Sequence, residues 1–184
     1  MDTSHYYAMI MAGGGGTRLW PMSRANTPKQ LLALVEEHSM FRVSVERLAP
    51  IFPPERIYVV ASEALAPALK ADRRFTTVAG DVYARLAGAP CERFDLILID
   101  VDHAPDDPLS RKNDTFYRAE GLERAIRHLA PGGILGVWSY AESSPFALAL
   151  REVFRDVRME PVTFFNALID EETTDWLFFA RAPG

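Results

Sequence analysis

Apolar residues fall along this chain in short dense runs, separated by stretches where they recur at helical spacing. Tyr7 to Ala12 is one such run, and it stops abruptly at four consecutive glycines, Gly13 to Gly16. That pattern reads as a buried strand feeding a glycine-rich loop. Pro21 and Pro28 keep the next segment from being helical. Ser39 then offers an N-cap to a helix on which Phe41, Val45 and Leu48 share one face, and Pro50, Pro53 and Pro54 stop it. Ile57 to Ala61 follows as a β-branched run, which completes a βαβ unit.

The alternation continues. Phe75 to Val78, Phe94 to Val101 and Ile134 to Ser139 are expected as buried strands, with helices over Val82 to Ala87, Arg118 to Leu129 and about Pro145 to Phe154. Met159 to Phe165 and Trp176 to Arg181, joined by the acidic turn Asp170-Glu171-Glu172, read as a closing antiparallel pair. Strands alternating with helices predict an α/β fold: a doubly wound, Rossmann-like, mostly parallel sheet of about seven strands in a three-layer αβα arrangement. Phe164-Phe165 and Trp176 to Phe179 are expected in the core. The long Asp- and Pro-rich loop Asp102 to Thr115 follows a strand's carboxyl end, where ligands bind in open α/β sheets.

Length adds a bound: 184 residues, close to half of them apolar, predict one domain over residues 1–184. A formal charge of −5 with scattered Lys and Arg argues against a nucleic-acid surface. The single cysteine, Cys91, forms no internal disulfide, and the first residues lack a signal-peptide pattern, so a cytoplasmic home is expected. No apolar run is long enough to span a bilayer. His5, His38, His103 and His128 show no metal-ligand spacing; His103 lies near the proposed site and the others are expected on the surface or on helix faces.

Four glycines cost backbone entropy, and close approach of the backbone to a ligand is the usual reason to accept them. Amides without side chains cradle phosphate oxygens, and Arg18 supplies a charged donor. A flexible turn is the competing explanation. The run Ala12 to Arg24, with Trp20-Pro21 inside it and Pro28-Lys29-Gln30 after it, resembles the mannose-1-phosphate guanylyltransferases, which are sugar nucleotidyltransferases. The likeness continues more weakly through Ser39-Met40-Phe41, Glu46-Arg47-Leu48 and Ile57 to Val60, so that residues 1–62 form a nucleotidyltransferase-like βαβ unit. It implies that Gly13, Gly14, Gly15, Gly16 and Thr17 hold nucleotide phosphates, with Arg18 and Lys29 as catalytic cations. It also implies Mg²⁺ on Asp102, in the loosely similar stretch Leu98 to His103, and GTP and mannose 1-phosphate as ligands.

Residues from about 73 to 182 are similar to something else. Ala79-Gly80-Asp81-Val82-Tyr83, Phe94 to Asp100 and Leu129 to Leu135 resemble spermidine-synthase-like proteins of the S-adenosylmethionine-dependent methyltransferase fold, so that residues 73–184 form a methyltransferase-fold-like half. There Asp81 corresponds to the acid that recognises the adenine amine, and Asp100 to the strand-end carboxylate that takes a proton from an attacking amine. Glu63 stands where that family holds the ribose hydroxyls, Tyr117 would border the pocket, and the cofactor would be S-adenosylmethionine or its decarboxylated form. The alternative for Glu63 is a solvated charge at a helix start, and for Asp100 and Asp102 loop-capping roles. The chain thus reads as a composite or chimera. Three functions follow from it: a guanylyltransferase-like nucleotide-binding transferase, a spermidine-synthase-like transferase, or a non-catalytic nucleotide-binding or structural module.

Overall fold

The structure is a computed structural model, and it describes residues 7–12, 40–61, 63, 66–70, 75–100, 104–107, 111–166 and 170–184. Gly13 to Gly16, Thr17, Arg18, Lys29, the helix cap Ser39, Val101, Asp102 and His103 lie outside these. The chain divides into two compact units, Met1–Val82 and Tyr83–Gly184.

In the first unit, β1 (Ala8–Ala12), β2 (Ile57–Ala61) and β3 (Thr76–Ala79) form a parallel sheet in the order β3-β2-β1. β-Branched and small apolar residues suit strands covered on both faces. Val59, Val60 and Ala61 are all buried in succession. The register aligns Ala12 with Ala61, and Ala61 with Ala79, so the three carboxyl ends are level. Helix α1 (Met40–Leu48) presents Val45 to the interior, and an Arg42–Glu46 pair at 2.8 Å lies along its solvent side. Exposed pairs of this spacing contribute about 0.3–0.5 kcal/mol. A short helix, α2 (Ala66–Leu69), precedes β3 and was not anticipated from the periodicity.

The second unit carries α3 (Val82–Ala87), which begins at the unit boundary, and β4 (Phe94–Asp100), β5 (Leu129–Ser139), β6 (Asp156–Asn166) and β7 (Glu171–Arg181). The order is β4-β5-β7-β6: β4 and β5 are parallel, and β7 runs antiparallel to both its neighbours. One sheet face is closed by α4 (Ala119–Ala125) and α5 (Ser144–Val153). Ile97, Ile99, Leu135, Val137 and Phe178 alternate inward onto it and are buried. Ser143 caps α5 by accepting a hydrogen bond from the Phe146 amide at 3.2 Å, and Pro145 in the first turn needs no amide partner.

Several boundaries differ from the sequence expectation. Strand β5 starts at Leu129 rather than Ile134, and its register with β4 jumps between Phe94/Leu129 and Leu96/Ile134. Pro131-Gly132-Gly133 therefore forms an irregularity inside a strand. Gly132 sits at φ +74, open to glycine at little cost, and its carbonyl accepts from Arg181 Nη1 at 2.9 Å. The helix expected to reach Leu129 ends at Ala125 and tightens to a 3-10 turn over Ile126–His128. Of the acidic turn, only Asp170 lies outside the strands, at φ 56; Glu171 and Glu172 pair with Asn166 and Phe165 in the ladder. Phe164 and Phe165, expected in the core, are 43% and 61% exposed, because β5 stops opposite Trp176 and supports nothing beyond it. His128, expected near the surface, is buried.

Candidate functional site

Each unit gathers its chemistry at strand carboxyl ends. In the first, the glycine run leaves β1 at Ala12. Glu63 follows β2 by two residues, and Gly80-Asp81 follows β3, with the Gly80 amide donating to the Ala61 carbonyl at 2.9 Å. Glu63 and Asp81 are both exposed. The level register of the three strands explains why residues far apart in sequence share one edge.

In the second unit, Asp100 is the last residue of β4, exposed and in register with Trp138 of β5. Beyond it, Ala104-Pro105-Asp106-Asp107 is a turn in which the Asp107 amide donates to the Ala104 carbonyl at 3.0 Å. Pro105 at the second turn position presets the required φ. Asp107 also accepts from the Tyr140 hydroxyl at 3.1 Å, which ties this turn to the end of β5. The expected loop up to Thr115 is in part ordered as a 3-10 segment, Arg111–Tyr117.

That segment delivers Phe116 and Tyr117 into an aromatic chain. The Tyr83 and Tyr117 hydroxyls are 2.6 Å apart, and Tyr117 stacks edge-on against Phe146 at 5.3 Å, which in turn meets Phe178 at 5.1 Å. Burial, and next the neighbouring Tyr83, hold the Tyr117 phenol far above its ordinary range. Tyr117 is therefore a neutral hydrogen-bonding group and not a base. The sequence points to a pocket role for Tyr117 but to none for Tyr83, which precedes it by 34 residues. The one available signal was its place on α3, next to the buried Val82.

His128 links the end of α4's 3-10 extension to Gly88, whose carbonyl lies 3.2 Å from Nε2. Burial lowers its pKa. The Gly88 and Leu86 backbone contacts act in the opposite direction, and Arg85 and Arg127 lower it further. The folded protein thus takes up this proton only below the ordinary histidine value of 6.5, where the unfolded chain already binds it. Stability from this group is present above pH 6.5 and is lost as the pH falls towards the folded value. Thermal melts between pH 7.5 and 5.5 should show a decline that is shallower in His128→Gln; equal slopes for both proteins would contradict this assignment.

Among the described residues, no group of three or more His, Cys, Asp or Glu side chains could hold a metal ion. No helix among them is long and apolar enough to cross a membrane.

Comparison with known proteins separates the two resemblances. The family described as Nucleotidyl transferase matches residues 7–95, further along the chain than the motifs alone reach. The Xanthan biosynthesis protein XanB of Xanthomonas campestris pv. campestris is 53% identical over 55 residues, 30% of this chain and 12% of that one. The mannose-1-phosphate guanylyltransferase of Salmonella muenchen is 45% identical over 51 residues, 28% of this chain and 11% of its own. The matched segments are thus a small fraction of those relatives' length. Among solved structures, the N-methyltransferase NodS of Bradyrhizobium japonicum aligns with 97% of this chain and 86% of its own, at TM-score 0.56 and 18% identity. A probable spermidine synthase from Corynebacterium glutamicum aligns with 98% of this chain and 57% of its own, at TM-score 0.59 and 18% identity. The chain therefore has the seven-stranded α/β, Rossmann-like fold of S-adenosylmethionine-dependent methyltransferases, with antiparallel strands at its carboxyl end, and an amino-terminal part similar to nucleotidyl transferases.

Proposed function

We propose that this chain binds a nucleoside triphosphate at the carboxyl edge of β1 and is a nucleotide-binding transferase of the guanylyltransferase kind. The observation that carries this reading is the 53% identity to XanB, in a chain whose glycine run begins where β1 ends. Gly13, Gly14, Gly15, Gly16 and Thr17 present backbone amides to the phosphates, with no side chains to hold them off. Arg18 holds phosphate oxygens through paired donors, and Lys29 stabilises the charge that builds as the α-phosphorus is attacked. With GTP and mannose 1-phosphate, the sugar phosphate oxygen forms the new bond to the α-phosphorus and pyrophosphate leaves. Asp102 is the carboxylate that would hold Mg²⁺, and the ion would supply positive charge to offset that of the phosphates.

A second reading rests on the fold, which aligns with methyltransferases along nearly the whole chain. Under it, Glu63 and Asp81 at the ends of β2 and β3 recognise the ribose and adenine of an S-adenosylmethionine-type ligand. Asp100 at the end of β4 takes a proton from the acceptor. Arg18 disfavours this, since the sulfonium is itself a cation.

Thermal shift separates the readings. A ligand present at a hundredfold over its Kd contributes about 2.7 kcal/mol, or roughly 5–10 °C for a chain of this size. GTP with Mg²⁺ should raise the melting temperature by that amount, and Arg18→Ala should abolish the rise. A rise with S-adenosylmethionine alone, lost in Asp81→Ala, would replace the first reading with the second. A flat response to both would leave a non-catalytic module.

A further inference from the structure

Strands β6 and β7 are paired along their whole length, Asp156 with Arg181 through Asn166 with Glu171, but β5 supports β7 only from Trp176 to Arg181. The pairs from Val162/Asp175 to Asn166/Glu171 therefore form a two-stranded arm, about 17 Å long at the usual rise per residue. A two-stranded ribbon with nothing packed on it is marginal in water. This one is braced at its base by Trp138 Nε1 donating to Asp175 at 3.0 Å, and along its length by the Thr163 and Thr174 hydroxyls at 2.9 Å.

The arm is apolar on both faces. Side chains alternate, so Val162 and Phe164 stand on one face and Phe165 on the other, and all three are exposed. Its charge has one sign: Asp170, Glu171, Glu172 and Asp175 belong to it, and no Lys or Arg occurs between Arg158 and Arg181. Pro161 interrupts the amides of this edge strand, so further strand addition is disfavoured and contact must come through side chains. Two arms brought together would set like charges against each other.

Elsewhere in the same unit, α5 carries the complementary surface. Leu148 is 59% exposed, Arg151 follows it by three residues on the same helix face, and Arg155 lies just past the helix end. Glu152 is the single acid between Ser144 and Arg155. Helix α5 packs on the sheet face that Phe165 shares, through Phe146 against Phe178. A two-fold arrangement can then seat each arm on the other copy's helix and close without leaving a free end. We propose that the β6–β7 arm is a self-association element that docks, through Phe165 and its carboxylates, onto Leu148, Arg151 and Arg155 of a second copy of this chain.

Sedimentation velocity over a hundredfold range of concentration tests this on the full chain. The wild type should pass from monomer to dimer, and the double variant Phe164→Ser, Phe165→Ser should remain monomeric with an unchanged far-UV spectrum. Arg151→Glu with Arg155→Glu should weaken the dimer at least about tenfold, and adding Glu171→Lys with Glu172→Lys should recover most of that loss. A wild type that stays monomeric, a dimer that survives loss of both phenylalanines, or reversed charges that fail to rescue would each overturn the proposal.

Discussion

Replacing Gly121 by alanine is expected to cost the second unit about 3 kcal/mol or more, although alanine is the better helix former by roughly 1 kcal/mol. Gly121 lies in α4 where that helix meets the preceding 3-10 segment. A methyl group there would overlap the Thr115 carbonyl oxygen and sit 2.5 Å from Phe116 Cα. Both obstacles are backbone, so no rotamer change relieves them. Moving the segment would strain three linked hydrogen bonds: Arg118 N to Thr115 O, Gly121 N to Arg118 O and Leu122 N to Arg118 O, at 3.2, 3.1 and 3.0 Å. The same shift would drag Phe116 and Tyr117 out of the aromatic chain. Urea unfolding should show the loss, and near-UV circular dichroism should show weakened tyrosine signals. Glu123→Ala, on the exposed side of the same helix, should stay within about 0.5 kcal/mol. An unchanged or raised stability in Gly121→Ala would mean that the two segments do not meet this closely.

Gly121 also marks the boundary of what local sequence discloses. Strands β1, β2 and β4 were legible because strands of a parallel sheet, buried on both sides, leave dense apolar runs bounded by turn residues. The entry of β5 was not, since Pro131-Gly132-Gly133 carries the composition of a loop, and backbone bonds to the distant Ala182 and Pro183 make it part of a strand. His128 looked like a helix-face residue because its burial depends on Gly88, forty positions earlier. Among the site residues, Asp81 and Asp100 were placed at strand ends correctly by the apolar runs before them. The Tyr83–Tyr117 contact joins two segments through tertiary packing and has no local signature. The glycine run, Arg18 and Lys29 are recognised by residue type and order alone, which is why the nucleotide titration with Arg18→Ala bears most directly on function.

The two aromatic pairs near the carboxyl end give the second large effect, because similar local composition leads to opposite environments. Phe178 is fully buried and meets Phe146 edge-to-face, with centroids 5.1 Å apart and rings at 64°. Phe178→Ala removes that contact, leaves a cavity beneath α5, and is expected to cost about 3–5 kcal/mol. Phe165 is 61% exposed on the arm, and Phe165→Ala, measured at a concentration where the protein is monomeric, should change stability by no more than about 0.5 kcal/mol. The difference arises from sheet order and not from residue type. Residue 178 lies where β7 is flanked by both β5 and β6, with Val137 and Met159 as its cross-strand neighbours. Residue 165 lies beyond the end of β5, opposite Glu172 alone. Equal losses for the two variants would show that the arm is packed against its own chain, whereas a loss confined to Phe178→Ala fixes the limit of the core at the last residues that β5 supports.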